Sequence, residues 1–414
     1  TKRINEWFEQ QFETEVSFSP IHQTFLGRKT NNDKIDDFTN EAQDKQLAWK
    51  LASIEEMKAK FDYNKLSDDA KMSWDIWAYQ GTAQKAADKY RTNGYIFEQM
   101  QAVHSFLPQL LIAFHRVEDE ADLKAYVSRI SAAAVGLDQL IALSKENAAT
   151  GVRPPKFAFE SVIKSSREII TGAPFTDGDD SAIWKDAQSK IAAHLDAGNI
   201  DQAAADTLKE EARQALLNDW KPAYERLIAW QEEDIVNASE QAQGVSALPN
   251  GMDFYNERLA NQTTTNMTAD EIHELGLAEV ARIRAEMETI KDKVGFDGEL
   301  PEYFGLLPKA DLVVKRVEPF REQAGAAQHY FPSTPDGSRP GVYYAHLLDM
   351  SAMPKRELEV IAYHEGLPGH HMQIAIQQEL EGVPTFRTQA GFTAYSEGWG
   401  LYSEKLATEM EGTY

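Results

Sequence analysis

The stretch that most constrains this chain runs from His364 to His371 and reads His-Glu-Gly-Leu-Pro-Gly-His-His. In the zinc-helix pattern His-Glu-x-x-His, two histidines one helical turn apart share a metal, and the glutamate beside the first activates a water molecule. His364 and Glu365 match the start of that pattern, but Pro368 stands where the second histidine belongs. On an unbroken helix the next two histidines would lie roughly 9 and 10 Å farther along the axis, too far to share an ion bound at about 2 Å.

A break in the helix at Pro368-Gly369 would resolve this conflict. Proline interrupts the helical hydrogen bonds, and glycine allows the backbone to leave the helix. A bulge there brings His370 or His371 to the position of the missing second histidine. The competing interpretation is a helix end with solvated histidines, because Pro-Gly also marks helix termini.

A second segment, residues 394–404, mixes small residues with aromatic ones and carries Glu397 and Glu404. Glu397 lies at a plausible distance along the chain for a third metal ligand supplied by a following helix. Glu404 is two turns later on the same helical face, where it could orient a metal-bound histidine or simply be a solvated carboxylate. Without other evidence, a solvated helix carboxylate is also the default for Glu397.

The chain before residue 245 is predicted to be almost wholly helical, because its long amphipathic segments show no strand-like alternation. His104 and His115 stand among apolar neighbours there and are expected to be core or cleft residues. Leu248–Gly251 marks a boundary. We therefore predict a helical N-terminal region, 1–245, that forms one wall of a cleft, and a metal-bearing catalytic region, 246–414.

Three short segments rich in β-branched and aromatic residues, 312–318, 328–331 and 341–345, are predicted strands. The predicted fold is thus mainly α, a large helical array with a small β-sheet beside a zincin-like metal helix. An edge strand of such a sheet can bind an extended peptide through its main chain. Candidate substrate contacts near it are Arg339, Tyr343, Tyr344 and His346.

The formal charge of −24 argues against nucleic acid and anionic membranes as partners. Cysteine is absent, so disulfides and cysteine metal sites are excluded. No run of about 18 apolar residues predicts a transmembrane helix, and no signal peptide is visible. The chain opens at Thr1 without an initiator methionine, which is typical of a mature or trimmed form.

The two motifs H-E-x-x-P-G-H-H-x-Q and S-E-G-W-x-L-Y-x-E resemble the bacterial domain-of-unknown-function family 885, a group of proteins expected to be zinc peptidases. Further segments of this chain are similar to it, namely Leu248–Tyr255, Thr268–Gly276 and Gly341–Tyr344. The similarity is strong over residues 245–404 and weak before them. Family members continue past the point where this chain stops, so the resemblance implies that the catalytic region is incomplete at its C-terminus.

The family resembles the gluzincins, in which two histidines and a distal glutamate bind zinc. The resemblance therefore implies that His364, His370 and Glu397 bind one zinc ion per chain, with His371 as the alternative to His370. Glu365 would be the general base that takes a proton from the zinc-bound water. Relatives in Gram-negative bacteria are often exported or lipid-anchored, which implies a bacterial cell-envelope location, periplasmic or as a lipoprotein.

Three functions are compatible with these residues. The first is a zinc metallopeptidase acting on peptide bonds, with short peptides favoured by analogy with other helix-rich clefts. The second is a metal-dependent amidase or esterase acting on a non-peptide substrate at the same site. The third is a non-catalytic helical binding protein that keeps the motif for structural reasons. Metal content and the effect of Glu365→Gln separate the third from the first two.

Overall fold

The structure is a computed structural model. It describes residues 2–100, 103–293, 314–318, 321–322, 328–332, 340–346, 355–366, 368–378 and 380–407. The chain divides into two compact units, Thr1–Gly251 with Pro384–Phe386, and Met252–Val383 with Arg387–Tyr414. The division falls near the predicted boundary at 245/246, except that Pro384–Phe386 belongs to the first unit. The predicted cleft wall remains a prediction.

The first unit is built from helices. They are α1 (Lys2–Ser17), α2 (Pro20–Phe25), α3 (Asn40–Lys60), α4 (Asp68–Asp88), α5 (Val103–Gln109), α6 (Glu120–Ala149), α7 (Lys156–Ile169), α8 (Ala182–Asp196), α9 (Gln202–Ala215) and α10 (Lys221–Asp234). Several of these helices are capped at their N-terminus by a side-chain oxygen. The capping residues are Ser19, Thr39, Ser67, Asp119, Ser181 and Asp201. Each accepts a backbone N–H that the first helical turn leaves without an internal partner, which explains why these helices begin where they do.

An aromatic cluster forms one core of this unit. Phe8 and Trp77 are fully buried, and the Phe386 ring lies 5.0 Å from each of theirs. Phe386 belongs to a short helix, α15 (Thr385–Thr388). The Thr385 backbone N–H and hydroxyl both donate to the Glu9 carboxylate, at 2.7 and 2.6 Å. A segment distant in sequence is therefore tied to α1 by both apolar packing and hydrogen bonds.

Helix α6 is the one helix among the described residues that is long and apolar enough to cross a membrane, although no such run was predicted. Half of its apolar stretch is buried inside the fold. Its Leu123 packs in a second core cluster with Ile191 of α8 and Leu208 of α9. The same helix buries Arg129 completely. Packing within this unit thus accounts for the apolar character of α6.

His104 and His115 are buried in this unit, as the sequence indicated. The His104 Nε2 lies 2.9 Å from the Ser165 hydroxyl, and burial lowers its pKa to about 4. Burial, followed by the nearby Arg129 guanidinium, lowers the pKa of His115 to about 3. Both imidazoles are therefore neutral at pH 7.

The second unit contains the remaining helices and the sheet. They are α11 (Gly251–Thr263, whose first residue closes the first unit), α12 (Ala269–Lys293), β1 (Val314–Arg316), β2 (His329–Phe331), β3 (Val342–Ala345), α13 (Lys355–Glu365), α14 (His370–Gln378) and α16 (Thr393–Ala407). At the start of α12, the Thr268 hydroxyl accepts from the Glu271 N–H while the Glu271 carboxylate accepts from the Thr268 N–H. This is the reciprocal capping box that a threonine followed three residues later by a glutamate predicts.

The sheet has the strand order β1-β3-β2, with β1 parallel and β2 antiparallel to β3. Tyr330 of β2 stands opposite Tyr343 of β3, and His329 stands opposite Tyr344. Since successive side chains point to opposite faces of a strand, Tyr330 and Tyr343 share one face and His329 and Tyr344 share the other. The predicted mainly α fold with one small sheet is confirmed.

Candidate metal centre

In the break between α13 and α14, the backbone at Gly369 passes very close to the last turn of α13. A Cβ on Gly369 would lie 1.9 Å from the carbonyl oxygen of His364 and 2.2 Å from that of Tyr363. Because backbone atoms cannot give way at such distances, this position requires glycine. The Trp399 indole N–H of α16 donates to the Pro368 carbonyl at 2.9 Å and fixes the turn to that helix.

This crossing brings His370 against His364, as the Pro-Gly break predicts. The two imidazole centroids lie 4.7 Å apart with their planes at 89°. Glu397 approaches from α16, with one carboxylate oxygen 3.4 Å from the Nε2 of His364 and the other 3.8 Å from the Nε2 of His370. One ligand atom from each of the three residues lies within 4.8 Å of the others.

The three side chains fit a zinc ion. Two imidazole nitrogens and a carboxylate oxygen form a donor set found in catalytic zinc sites, which leave the fourth position open. With metal–ligand bonds of about 2.1 Å, tetrahedral ligand atoms are about 3.4 Å apart. The 3.4 Å between His364 Nε2 and one Glu397 oxygen equals that value, and the 3.8 Å to His370 Nε2 is measured from the other oxygen of the same carboxylate. The side chains of His364 and His370 are 18% and 12% exposed and that of Glu397 is 56% exposed, so the cluster is enclosed on its histidine side.

Glu404 contacts the ring nitrogen of His364 that does not face Glu397. Its Oε1 lies 2.6 Å from the Nδ1 of His364, which leaves Nε2 for a metal. This contact raises the pKa of His364, with burial opposing it. The role suggested for Glu404 by the sequence, orienting a metal-bound histidine, agrees with this position, and such partners fix both the tautomer and the ring orientation.

Gly400 provides the space that the His364 ring occupies. A Cβ at this position would lie 2.5 Å from Cε1 and 2.6 Å from Nε2 of His364. Glu397 and Gly400 are three residues apart and therefore neighbours on one side of α16. Close approach of α16 to His364 thus depends on a residue without a side chain.

Burial governs the pKa values around the cluster. It raises the pKa of Glu365 to about 7, with His364 opposing and Glu397 adding to the rise, and the Tyr330 backbone N–H lowers it by hydrogen bonding. A carboxyl group with a pKa near neutrality suits a general base. Burial, followed by the charge of His364, lowers the pKa of His370 and favours the neutral imidazole that a metal binds.

The described residues that were predicted to contact substrate lie on two opposite faces of the sheet. Tyr343 is buried, and its hydroxyl has no hydrogen-bond partner within the described residues. Burial and the charge of Glu365 raise its pKa, so the phenol stays protonated. On the other face, Tyr344 stacks on His329 at 5.3 Å, and the His346 ring is 5.7 Å from His329. Arg339 lies outside the described residues.

His371 does not join the three-residue cluster. Its Nδ1 lies 2.6 Å from the Tyr330 hydroxyl, and the two rings meet edge to face at 5.5 Å. Of the two histidines that the sequence left open as the middle ligand, the structure brings His370 to His364 and Glu397.

A family model described as "Bacterial protein of unknown function (DUF885)" matches residues 20–300 and 296–414. The chain belongs to the DUF885 family. This confirms the resemblance seen in the motifs and extends it to the N-terminal helices, where sequence similarity alone is weak. None of the curated proteins compared with the chain matches it.

Two solved structures show the same fold as this DUF885 protein. One is of a putative lipoprotein from Colwellia psychrerythraea, with a TM-score of 0.82 at 20% identity over 99% of this chain and 78% of that one. The other is of a putative lipoprotein of unknown function from Shewanella oneidensis, with a TM-score of 0.62 at 18% identity over 98% and 77% of the two chains. At these identities the similarity shows the fold alone.

The sequence did not identify Tyr330 as part of this candidate site. Its backbone N–H contacts Glu365 and its hydroxyl contacts His371. A strand was predicted at 328–331, but which face Tyr330 takes depends on strand register, which the sequence does not provide. The need for Gly400 was also missed, although residues 394–404 are rich in small residues, which let one helix approach another closely.

Proposed function

We propose that this DUF885 protein is a zinc-dependent metallopeptidase that hydrolyses peptide bonds in short peptides and binds one zinc ion per chain. The observation that carries the proposal is the approach of His364, His370 and Glu397 to within 4.8 Å, ligand atom to ligand atom. Glu365, the residue next to His364, adds a half-buried carboxylate beside this cluster. A metal-ligand triad with an adjacent base matches the requirements of hydrolysis by an activated water.

In the proposed reaction, the side chains of this site have separate tasks. When bound, zinc would supply Lewis-acid chemistry, lowering the pKa of a coordinated water and polarising a carbonyl group. The Glu365 carboxylate accepts the proton of the attacking water as its oxygen adds to the carbonyl carbon. The resulting carboxylic acid returns that proton to the amine nitrogen as the C–N bond breaks. Glu404 keeps the His364 ring oriented throughout.

The test combines metal analysis with peptide hydrolysis. We expect mass spectrometry to find about one zinc per wild-type chain, little in His370→Ala, and wild-type content in His371→Ala. Glu365→Gln is nearly isosteric and should keep zinc and the circular dichroism spectrum while hydrolysis of a fluorogenic peptide library falls by at least about 10²-fold.

Each other outcome rejects a part of the proposal. Failure of the wild-type chain to retain zinc after reconstitution would reject hydrolysis and favour a helical binding protein. Zinc binding with cleavage of non-peptide amides or esters, but not of peptides, would favour the amidase or esterase alternative. Equal hydrolysis by Glu365→Gln would reject Glu365 as the base.

A cell-envelope location, lipid-anchored or periplasmic, is part of the proposal. The two structural relatives are both described as putative lipoproteins, which supports it. Fractionation of cells expressing the natural protein, with immunodetection in the envelope and the cytoplasm, tests it directly. Recovery in the cytoplasm would reject this location.

A further inference from the structure

His371 lies next to the cluster of His364, His370 and Glu397 and forms a hydrogen bond of its own with Tyr330. Its Nδ1 lies 2.6 Å from the Tyr330 hydroxyl, and the backbone of Gly341 passes next to both groups. A Cβ on Gly341 would lie 2.3 Å from that hydroxyl and 2.7 Å from the same nitrogen. Strand β2, the residue before β3 and helix α14 thus converge on one hydrogen bond.

This hydrogen bond is compatible with an Nε2–H tautomer of His371. Either atom can be the donor, because a tyrosine hydroxyl both donates and accepts and either ring nitrogen can carry the imidazole proton. In the arrangement where the Tyr330 O–H donates to Nδ1, the imidazole proton is on Nε2. His371 then presents an N–H donor at Nε2 and not at Nδ1.

The position of Tyr330 connects this donor to the reaction centre. While its hydroxyl contacts His371, its backbone N–H donates to the carboxylate of Glu365. His371 also follows His370 directly at the start of α14. The His371 ring is only partly buried, so a ligand can reach it.

We propose that His371 is a substrate-binding residue whose Nε2–H donates a hydrogen bond to the carbonyl oxygen of the scissile amide, and that Tyr330 is the positioning residue that holds this tautomer. The inference rests on the proposed peptidase function. No proton leaves His371: the hydrogen bond strengthens as negative charge develops on the oxygen. Removing one donor of this kind typically lowers kcat by about 10²- to 10³-fold.

The test uses zinc-loaded wild-type protein and the variants His371→Ala, His371→Gln and Tyr330→Phe. Glutamine is the rescue variant, because its amide N–H₂ can take the place of Nε2–H. The exposed His273 of the same unit provides the control, His273→Gln. The measurements are zinc content by mass spectrometry, kcat and KM with a fluorogenic peptide, and calorimetric affinity for a phosphinic dipeptide analogue, which presents a tetrahedral oxyanion in place of the scissile carbonyl.

We expect all variants to keep about one zinc per chain. His371→Ala should lose about 10²- to 10³-fold in both kcat and phosphinate affinity, with a smaller change in KM. His371→Gln should recover most of that loss, Tyr330→Phe should lose about 10-fold, and His273→Gln should match the wild type. A purely structural role would not give rescue by glutamine with unchanged zinc content.

Several results would overturn the inference. Zinc loss in both His371 variants would make His371 a metal ligand, and unchanged kcat and phosphinate affinity would remove its role while leaving the peptidase proposal intact. A wild-type protein that binds the phosphinate but cleaves no peptide would reject the peptidase, and weaker binding by His371→Ala would then retain the donor role. Absence of both hydrolysis and phosphinate binding would reject both.

Discussion

At the scale of single residues, two glycines of α16 allow the effect of steric fit against His364 to be distinguished from the effect of helix propensity. A Cβ on Gly400 would lie 2.5 Å from the His364 ring, whereas one on Gly398 would meet nothing within 4 Å. We expect Gly400→Ala to displace the His364 imidazole and weaken zinc binding by about 10²-fold. Gly398→Ala should keep zinc and stabilise the protein by roughly 0.5–1 kcal/mol, because alanine favours the helix.

Zinc titration with a competing chelator, together with urea unfolding of the metal-free proteins, measures both effects. The comparison is matched because the two substitutions add the same methyl group to the same helix. Equal zinc affinity in the two variants would show that His364 does not depend on the space left by Gly400.

Glu404 allows a second prediction for a single side chain. Its 2.6 Å contact with His364 Nδ1 orients the ring, so Glu404→Gln, which removes the negative charge, should weaken zinc binding by about 10- to 100-fold. The exposed Glu381 of the same unit provides the control, Glu381→Gln. Chelator competition at fixed pH measures both variants, and an unchanged affinity in Glu404→Gln would contradict the orienting role.

At the scale of elements, the turn between α13 and α14 decides where His370 lies. Gly369→Ala would place a methyl group within 2.2 Å of two backbone carbonyl oxygens, so the turn has to move. We expect a loss of about 3 kcal/mol in the free energy of unfolding, as for other overpacked sites, together with loss of zinc binding. Gly391→Ala, which meets nothing within 4 Å, should retain both. Urea unfolding followed by optical spectroscopy, with zinc analysis, distinguishes them.

The elements of this protein differ in how far the sequence predicts them. Long amphipathic helices and the capping box at Thr268 follow from local rules, and so does the break at Pro368-Gly369. The choice of His370 over His371 depends on how tightly the chain crosses the end of α13, which spacing alone left open. The neighbours of Tyr330 depend on strand register, a non-local property with no local signal in a three-residue strand.

At the scale of the whole molecule, the sequence predicts a boundary near residue 245 but not the return of Pro384–Phe386 to the first unit. Pro384–Phe386 is separated from the first unit by more than a hundred residues of sequence, yet Phe386 packs against Phe8 and Trp77. Composition shifts identify a boundary near residue 250, but they carry no information on such a return of the chain. The −24 formal charge likewise bears on partners and solubility, not on the fold.

Acid stability is a property of the whole molecule to which two buried histidines should contribute, against the opposing contribution of Glu365, whose pKa burial raises to about 7. The folded-state pKa values of His104 and His115 are about 4 and about 3, below the value near 6.5 of an unfolded chain. Below pH 6.5 the unfolded state binds more protons at these two sites, so their contribution to stability falls with decreasing pH down to the folded pKa values. At pH 5 each histidine should reduce the free energy of unfolding by about 2 kcal/mol relative to pH 7.

We expect His104→Gln and His115→Gln each to lower the slope of that free energy against pH between 5 and 7 relative to the wild type, even if the substitution lowers stability overall, because the slope reports proton uptake alone. His273→Gln, at an exposed position, should leave the slope unchanged. Urea unfolding at a series of pH values gives the slope directly, and the same slope in wild type and both core variants would show that these imidazoles are not held neutral by the fold.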